Sequence, residues 1–173
     1  MSGRLSNQRA GGKGRIASLF HAAHPWPALP QHEVRHWYSR VAMLIFQPRY
    51  TLPELRNPDL NELRKTIYEL GGEFEEATLL YEGEQTATLI LIFHQDYGYY
   101  LKYRNHDRKE WLSLSDASRL QEVITPDDWE ASVGLFVPLP QAWNAIKDFC
   151  ESGERSAGIE WIRPSEMPTG GNW

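Results

Sequence analysis

The sequence is poor in cysteine and has no long apolar run, and both absences limit what the protein can be. Cys150 is the only cysteine, which excludes an intramolecular disulfide and favours a reducing compartment. Apolar runs such as Leu89–Phe93 are far shorter than the roughly 20 residues of a membrane-spanning helix. No apolar segment typical of a secretory signal follows the basic N-terminal residues. These absences predict a cytoplasmic protein without a disulfide framework.

Motifs of common cofactor and catalytic sites are also missing. No serine lies in a G-x-S-x-G context. The run GGKG at residues 11–14 lacks the spacing and the preceding strand of a phosphate-binding loop. Four histidines have spacings of three and four within each pair, but prolines interrupt their segment and few carboxylates accompany them. We interpret that segment as solvated, and we predict neither a metal nor a cofactor. The four residues are His21, His24, His32 and His36.

Two histidine–carboxylate pairs leave an enzymatic alternative open. His94 with Asp96, or His106 with Asp107, could orient an imidazole as the general base of a small hydrolase. Both pairs fall at strand ends or turns, where such residues are also common as turn formers. Cys150 lies on the apolar side of its predicted helix, where a thiol is usually buried and unreactive. The main prediction is therefore a protein without catalytic residues, with the hydrolase as the alternative.

Charge is distributed unevenly along the chain. Residues 1–40 contain six Lys/Arg and one Glu, a net charge of +5, whereas residues 41–173 have a net charge of −10. An acidic body repels nucleic acid and attracts basic partners. The sequence thus predicts a basic protein partner and neither nucleic acid nor a membrane.

Apolar periodicity divides the chain into three parts. Residues 1–40 are rich in Gly, Pro and His and predict an irregular extension, residues 41–163 a single domain, and residues 164–173 a tail. Within the domain, one helix is predicted to open at Asn57-Pro58, with Asn57 as its N-cap, and to stop at Gly71-Gly72. A second helix contains Trp143 and ends at Gly153. Residues 115–132 predict a surface loop.

Strands are indicated by alternating or continuous apolar residues between turn residues. They are predicted at Val41–Phe46, Phe74–Glu82, Thr86–His94, Tyr99–Arg104, Glu110–Leu114, Val133–Val137 and Ile159–Trp161. This order of elements predicts an α+β fold, with a curved, mainly antiparallel sheet of five to seven strands and both helices packed on one face.

Acidic and aromatic residues concentrate in the predicted turns and in the 115–132 loop. Carboxylates speed encounter with a basic partner, and Trp or Tyr side chains provide desolvated anchors. A solvated surface with some core aromatics would have the same composition. The residues predicted to form a partner-binding surface are Glu75, Glu82, Glu84, Asp96, Tyr97, Tyr99, Asp107, Asp127, Asp128, Trp129 and Glu130.

The C-terminal pattern resembles a known family. Gly134–Pro138, a helix containing Ala142 and Phe149, Ser152-Gly153 and Ile159-Glu-Trp161 follow one another. This order is similar to that of the bacterial immunity-protein family numbered one in polymorphic toxin systems, and the similarity covers roughly residues 74–162. Two parts do not match the family, the N-terminal extension and the tail Pro164–Trp173.

The resemblance implies an α+β inhibitor that is made beside a secreted toxin and neutralises it by binding. Toxins paired with the family are often directed at nucleic acid, deaminases among them. The implied mechanism is occlusion, in which an acidic face covers the toxin's basic cleft. Trp143, Gly153 and Trp161 are then structural positions. An adaptor of a secretion system that uses the basic extension is a further alternative.

Overall fold

Alternating apolar and polar residues between positions 74 and 114 form four consecutive antiparallel strands. The structure, a computed structural model, describes residues 43–49, 53–69, 74–83, 85–125 and 130–168. Its strands are β1 (Leu44–Pro48), β2 (Leu55–Arg56), β3 (Phe74–Glu82), β4 (Thr86–His94), β5 (Gly98–Arg104), β6 (Glu110–Leu114), β7 (Val123–Ile124), β8 (Ala131–Ser132), β9 (Phe136–Val137) and β10 (Glu160–Ile162). Its helices are α1 (Leu60–Glu69) and α2 (Leu139–Ser152).

The strands form one main sheet and one small hairpin. The main sheet has the order β10-β6-β5-β4-β3-β1-β2, with β9 paired to β5, and the hairpin joins β7 to β8. Every described ladder is antiparallel. The sheet is open and carries two helices, so the predicted α+β class is confirmed.

One face of the sheet carries the main core. Strand residues such as Leu79, Leu89 and Leu101 are fully buried there, together with Leu63 of α1 and Ile146 of α2. Both helices contribute apolar residues at spacings of three and four to this core. The main core therefore joins the sheet and the two helices.

The opposite face carries a second, smaller core. Tyr100 and Leu112 of the sheet pack with Leu135, Phe136 and Met167. The segment 115–137, predicted as loop and then strand, instead contains short 3-10 turns and the β7–β8 hairpin, and Val133–Leu135 is 3-10 helix where strand was predicted. Met167 is buried, so the tail boundary predicted at residue 164 cuts through a packed segment.

Helix α1 begins two residues later than predicted, because Asp59 caps it. Asp59 Oδ1 accepts hydrogen bonds from the amides of Asn61 and Glu62 at 2.9 and 2.8 Å. Asn57 has a positive φ of 47°, and its side chain accepts from the Leu44 amide at 2.8 Å. Asn57 thus connects α1 to β1, and it is not the N-cap.

Helix α2, predicted to contain Trp143 and to end at Gly153, begins at Leu139. Its first turn contains Leu139 and Pro140, with Pro138 at the N-cap position. Proline is tolerated there because the first helical amides have no acceptor within the helix. In the described part of the chain, no helix is long and apolar enough to cross a bilayer.

Candidate functional site

The order of the strands brings two of the three hairpin turns to the same end of the sheet. The end of β3 and the start of β4 lie at the same end of the sheet as the β5–β6 turn at 105–109, and the β4–β5 turn at 95–97 lies at the opposite end. Helix α2 ends at Ser152, and the loop that follows it returns to the first of these ends. We call the described residues at this end, 82–83, 85–87, 103–107 and 148–157, the turn end.

A cavity of about 890 Å³ opens at the turn end. Strand and turn residues form one side of it, and the end of α2 with its following loop forms the other. Its lining consists of Tyr81, Gly83, Gln85, Thr86, Ala87, Tyr103, His106, Asp148, Glu151, Ser152, Gly153, Glu154, Arg155, Ser156 and Ala157. Three of these residues are carboxylates, and among the described lining residues Arg155 is the one with a permanent positive charge.

Gly153 fixes the geometry where α2 meets the sheet. It ends the helix in the left-handed conformation, with φ of 70°, and its amide donates to the Phe149 carbonyl at 2.7 Å. A Cβ on Gly153 would lie 2.6 Å from Cδ1 of Tyr81, and a Cβ on Gly83 would lie 2.4 Å from Cε1 of the same ring. The Tyr81 ring therefore fits between two glycines and forms a wall of the cavity.

Tyr103 also joins strand and helix. Its hydroxyl donates to the Gly153 carbonyl at 3.2 Å, with the Glu154 carboxylate at 3.4 Å. Burial, reinforced by the Glu154 charge, raises the pKa of Tyr103 to about 12. Tyr103 therefore stays neutral and keeps its hydroxyl proton at physiological pH.

The loop after α2 is held from three sides. Ser156 is buried and its hydroxyl donates to the Asp148 carboxylate. The Trp161 indole N–H donates to the Ser156 carbonyl at 2.8 Å. The Arg155 guanidinium lies 4.1 Å from the centre of the Trp111 ring, a cation–π arrangement. The C-terminal signature Gly153–Trp161 is thus a fixed loop that forms one wall of the cavity.

Acidic residues lie at the C-terminal end of α2, where the helix dipole disfavours negative charge. The C-terminus of a helix carries partial negative charge and favours cations nearby. The last turn of α2 contains no basic residue, Glu151 lies within it, and Glu154 follows the helix end. Glu151 and Glu154 are exposed, and carboxylates outnumber cationic side chains on the helical side of the cavity.

The structure separates the predicted partner-binding residues into two groups. Glu82 and Asp107 belong to the turn end, beside the cavity. Asp96 and Tyr97 lie in the β4–β5 turn, at the other end of a nine-residue strand, roughly 26 Å away at about 3.3 Å per residue. One compact partner surface cannot be centred on both groups.

Tyr99 is a correction to the predicted surface. It is 2% exposed, and its hydroxyl donates to the Ile67 carbonyl of α1 at 3.3 Å. Period-two alternation places Tyr99 on the same face as Leu101 and Tyr103, the face that the helices cover. Tyr99 is therefore a core residue.

The remaining predicted residues are described only in part. Glu130 is half-buried and precedes β8. Glu75 lies in β3, opposite Phe93, as a backbone position. Glu84, Asp127, Asp128 and Trp129 lie outside the described residues.

The two histidine–carboxylate pairs behave differently. His94 is buried, and its Nδ1 accepts from the Asp96 amide at 3.2 Å, so the contact is to backbone and not to the carboxylate. His106 Nε2 lies 3.2 Å from Asp107 Oδ1 in an exposed turn.

The serines of the cavity do not complete a nucleophilic site with His106. The Ser152 hydroxyl donates to the Asp148 carbonyl at 2.8 Å, and the Ser156 hydroxyl donates to the Asp148 carboxylate. Cys150 is fully buried, and burial raises the pKa of its thiol far above its usual range. The hydroxyls of Ser152 and Ser156 thus donate to Asp148, and the buried Cys150 thiol stays protonated.

Within the described ranges, no group of three or more His, Cys, Asp or Glu residues could hold a metal ion. The four-histidine segment, His21, His24, His32 and His36, lies outside those ranges.

The residues predicted from the sequence did not include those of α2 that line the cavity. Asp148, Glu151 and Ser152 recur at spacings of three and four on α2, away from its apolar stripe of Trp143, Ile146 and Cys150. Such a polar stripe is usual for a helix with one solvated face. The sequence feature that could have indicated these residues is Glu151 in the last turn of the helix, just before Gly153. Basic residues would stabilise the helix at that position.

Comparison with protein-family models, with curated proteins and with solved structures found no match to this chain.

Proposed function

We propose that this chain is a non-catalytic immunity protein that binds a basic toxin domain and blocks that domain's active-site cleft. The single observation that supports this best is the carboxylate-bearing cavity at the turn end, with Asp148, Glu151 and Glu154 in its lining. A cavity of this polarity suits a charged protein segment better than an apolar small molecule, since small-molecule pockets are lined mostly by apolar side chains.

The proposed mechanism is occlusion assisted by charge. Residues 41–173 have a net charge of −10, which raises the rate of encounter with a positively charged surface. Toxins that act on nucleic acid need a basic cleft to hold phosphates, so an acidic face is complementary to that class. Contacts at the turn end would then keep the partner in register.

The experiment is co-expression with the toxic C-terminal domain encoded beside this chain's gene. We expect the full chain to restore growth and to form a stoichiometric complex that survives gel filtration. The double variant Glu151→Lys/Glu154→Lys should slow association by at least about tenfold at low salt, because removing attractive charge mainly affects the association rate.

The matched control reverses the same number of charges away from the cavity. Glu160 lies on the edge strand β10, and it is exposed and does not line the cavity. Pairing Glu160→Lys with Glu62→Lys on α1 changes the net charge equally. If both double variants slow association equally, the effect comes from net charge alone and the turn end is not the interface.

Two further variants separate the alternatives. Replacing His94 and His106 with alanine should leave toxin binding intact, whereas a hydrolase that uses either residue would lose its activity. Removing residues 1–40 should also leave most of the binding, whereas a secretion adaptor that acts through the basic extension would lose its partner.

A further inference from the structure

We propose that Arg155 and Arg163 form a site for one carboxylate group, an aspartate or glutamate side chain of the partner protein. This inference rests on the proposed function, because it takes the partner to be a protein. It deepens that function by assigning the partner an acidic residue beside its basic surface. Three properties of the arginine pair support it: its geometry, its lack of a counter-charge among the described residues, and the fixed backbone on both sides.

The first property is that two guanidinium groups share one aromatic ring. The Cζ atom of Arg155 lies 4.1 Å from the centre of the Trp111 ring, and the Cζ atom of Arg163 lies 5.6 Å from it. The two Cζ atoms are therefore at most 9.7 Å apart, the sum of these distances. Both side chains are exposed and can close on a group between them. A carboxylate has two acceptor oxygens, so one such group can accept from both guanidinium groups.

The second property is that neither guanidinium forms an ion pair with a carboxylate of the described residues. The nearby carboxylates bond elsewhere: Glu166 accepts from the Arg163 backbone amide at 2.8 Å, and Glu154 accepts from the Tyr103 hydroxyl at 3.4 Å. Two like charges on one ring repel each other, and an anion between them removes that repulsion. Other arginines of this acidic chain do pair with glutamate, namely Arg49, Arg56, Arg104 and Arg119.

The third property is a backbone that is fixed at both arginines. Next to Arg155, the Ser156 carbonyl accepts from the Trp161 indole N–H at 2.8 Å. Arg163 directly follows β10, which pairs with β6, and its amide is held by Glu166. Both arginines therefore project from segments that are positioned without any partner. Binding has to order only the two side chains, which limits its entropic cost.

The surrounding charges decide which anion fits best. Glu154 precedes Arg155 in the chain, and Glu166 bonds to the Arg163 amide. A phosphate group carries close to two negative charges and is repelled by these carboxylates more strongly than a carboxylate with a single charge. The net charge of −10 on residues 41–173 also repels nucleic acid. A single carboxylate on a protein is therefore the anion that these surroundings favour.

The position of the pair explains what the site would add to binding. Arg155 lines the cavity at the turn end, together with Glu151 and Glu154. A partner that covers this region meets acidic and basic groups side by side. Groups of opposite sign within one interface fix the register of the two proteins and disfavour wrong partners.

The test uses the full isotope-labelled chain and two short peptides, acetyl-Gly-Glu-Gly-amide and the same peptide with glutamine in place of glutamate. Glutamine has nearly the same shape but carries no charge. We expect the glutamate peptide to shift the side-chain Nε–H NMR signals of Arg155 and Arg163 and to bind at least about fivefold more tightly than the glutamine peptide. Inorganic phosphate is the third probe and should bind more weakly than the glutamate peptide. Tighter binding of phosphate at the same signals would assign the site to phosphoryl groups and overturn the inference.

The protein variants locate the interaction. Arg155→Gln and Arg163→Gln should each weaken binding of the glutamate peptide about fivefold, and Arg108→Gln should leave it within about twofold. Arg108 is the matched control, because it is exposed in the β5–β6 turn and also forms no ion pair within the described ranges. All three side chains are exposed, so the variants should fold, and unchanged signals of the core verify this. Equal affinity for the two peptides, or an equal effect of Arg108→Gln, would overturn the inference.

The outcome is separable from that of the proposed function. If the toxin complex forms and protects cells but the glutamate peptide does not reach Arg155 and Arg163, the carboxylate site is wrong and the immunity function stands. If the peptide binds as described but no toxin is neutralised, the pair recognises a carboxylate of another protein and the immunity function is wrong.

Discussion

Gly153 shows how one residue controls both the end of a helix and the wall of the cavity. Its left-handed conformation turns the chain away from α2, and its missing side chain leaves room for the Tyr81 ring. The hydroxyl of Tyr103 then bonds to the Gly153 carbonyl. Tyr81 and Tyr103 are thereby held against the helix end.

The variant Gly153→Ala should lower the free energy of unfolding by about 2–4 kcal/mol, from the left-handed strain together with overpacking against Tyr81. Urea unfolding followed by circular dichroism measures this change. Gly158→Ala is the control, because Gly158 is exposed and its added Cβ would lie 3.2 Å from the Ser156 hydroxyl oxygen without a left-handed φ. A loss at Gly153 no larger than that at Gly158 would contradict this account.

At the scale of elements, the Ser113 side chain connects β5 to the segment before β9 where the backbone pairing of β5 is interrupted. Strand β5 pairs with β6 through Lys102–Arg104 and with β9 through Tyr99 and Tyr100, so Leu101 lies between the two ladders. The Ser113 hydroxyl accepts from the Leu101 amide at 2.9 Å and donates to the Leu135 carbonyl at 2.6 Å. One buried hydroxyl therefore replaces the backbone bonds missing where β6 and β9 diverge.

Ser113→Ala should destabilise the fold by about 2–4 kcal/mol, because it leaves a buried amide and a buried carbonyl without partners. Amide hydrogen exchange at Leu101 and Phe136 should accelerate beyond what the global loss explains. Ser115→Ala is the matched control, since Ser115 is exposed and only its backbone amide is engaged, with the Gly134 carbonyl. Its effect should stay within about 0.5 kcal/mol.

Elements with regular patterns were predictable from the sequence, and those built by long-range contacts were not. Strands β3 to β6 match the predicted bounds within one residue, because turn residues separate clear apolar alternation. The 115–132 segment contains polar residues with no period. Its structure depends on bonds such as the Val133 amide to the Glu122 carbonyl and the Ser132 hydroxyl to the Leu120 carbonyl, which local sequence does not encode.

The same contrast applies to the candidate site. The end of α2 at Gly153 was predictable from the glycine alone. The meeting of that helix end with Tyr81 and Tyr103 follows from packing between elements far apart in sequence. Among the predicted surface residues that the structure describes, Glu82 and Asp107 are next in sequence to residues of the cavity lining. Asp96 was predicted to belong to the same surface as Glu82 and Asp107. Its turn lies at the other end of the sheet, because successive turns of an antiparallel meander alternate between the two ends.

At the scale of the whole molecule, the sheet is covered on both faces, and buried tyrosines lie in both cores. Tyr99 and Tyr103 belong to the core beneath the helices, and Tyr100 to the core on the opposite face. Burial is the main cause that raises the pKa of all three, above the usual tyrosine range for Tyr99 and Tyr100 and to about 12 for Tyr103. The fold therefore favours the neutral phenol at each position.

This arrangement predicts how stability changes at alkaline pH. An unfolded tyrosine loses its proton near pH 10, whereas each folded one keeps it to higher pH, so the unfolded state binds fewer protons above about pH 10. The stabilising contribution of each tyrosine is complete below pH 10 and is lost as the pH rises through the folded pKa, with a slope of at most about 1.4 kcal/mol per pH unit for each group. Urea unfolding between pH 7 and 11.5 should show this decline, accompanied by late ionisation in absorbance at 295 nm.

Tyr103→Phe isolates the contribution of the cavity residue. The variant loses the hydroxyl bond to Gly153, so it should be less stable by about 1 kcal/mol at pH 7. Its stability should fall less steeply than that of the parent between pH 10 and 12, because one raised pKa has been removed. Tyr68→Phe, which removes a hydroxyl at a half-exposed position, is the control for loss of a phenol outside the turn end. Identical slopes in Tyr103→Phe and the parent would mean that Tyr103 ionises as it does in the unfolded chain, which would contradict the burial of its ring at the turn end.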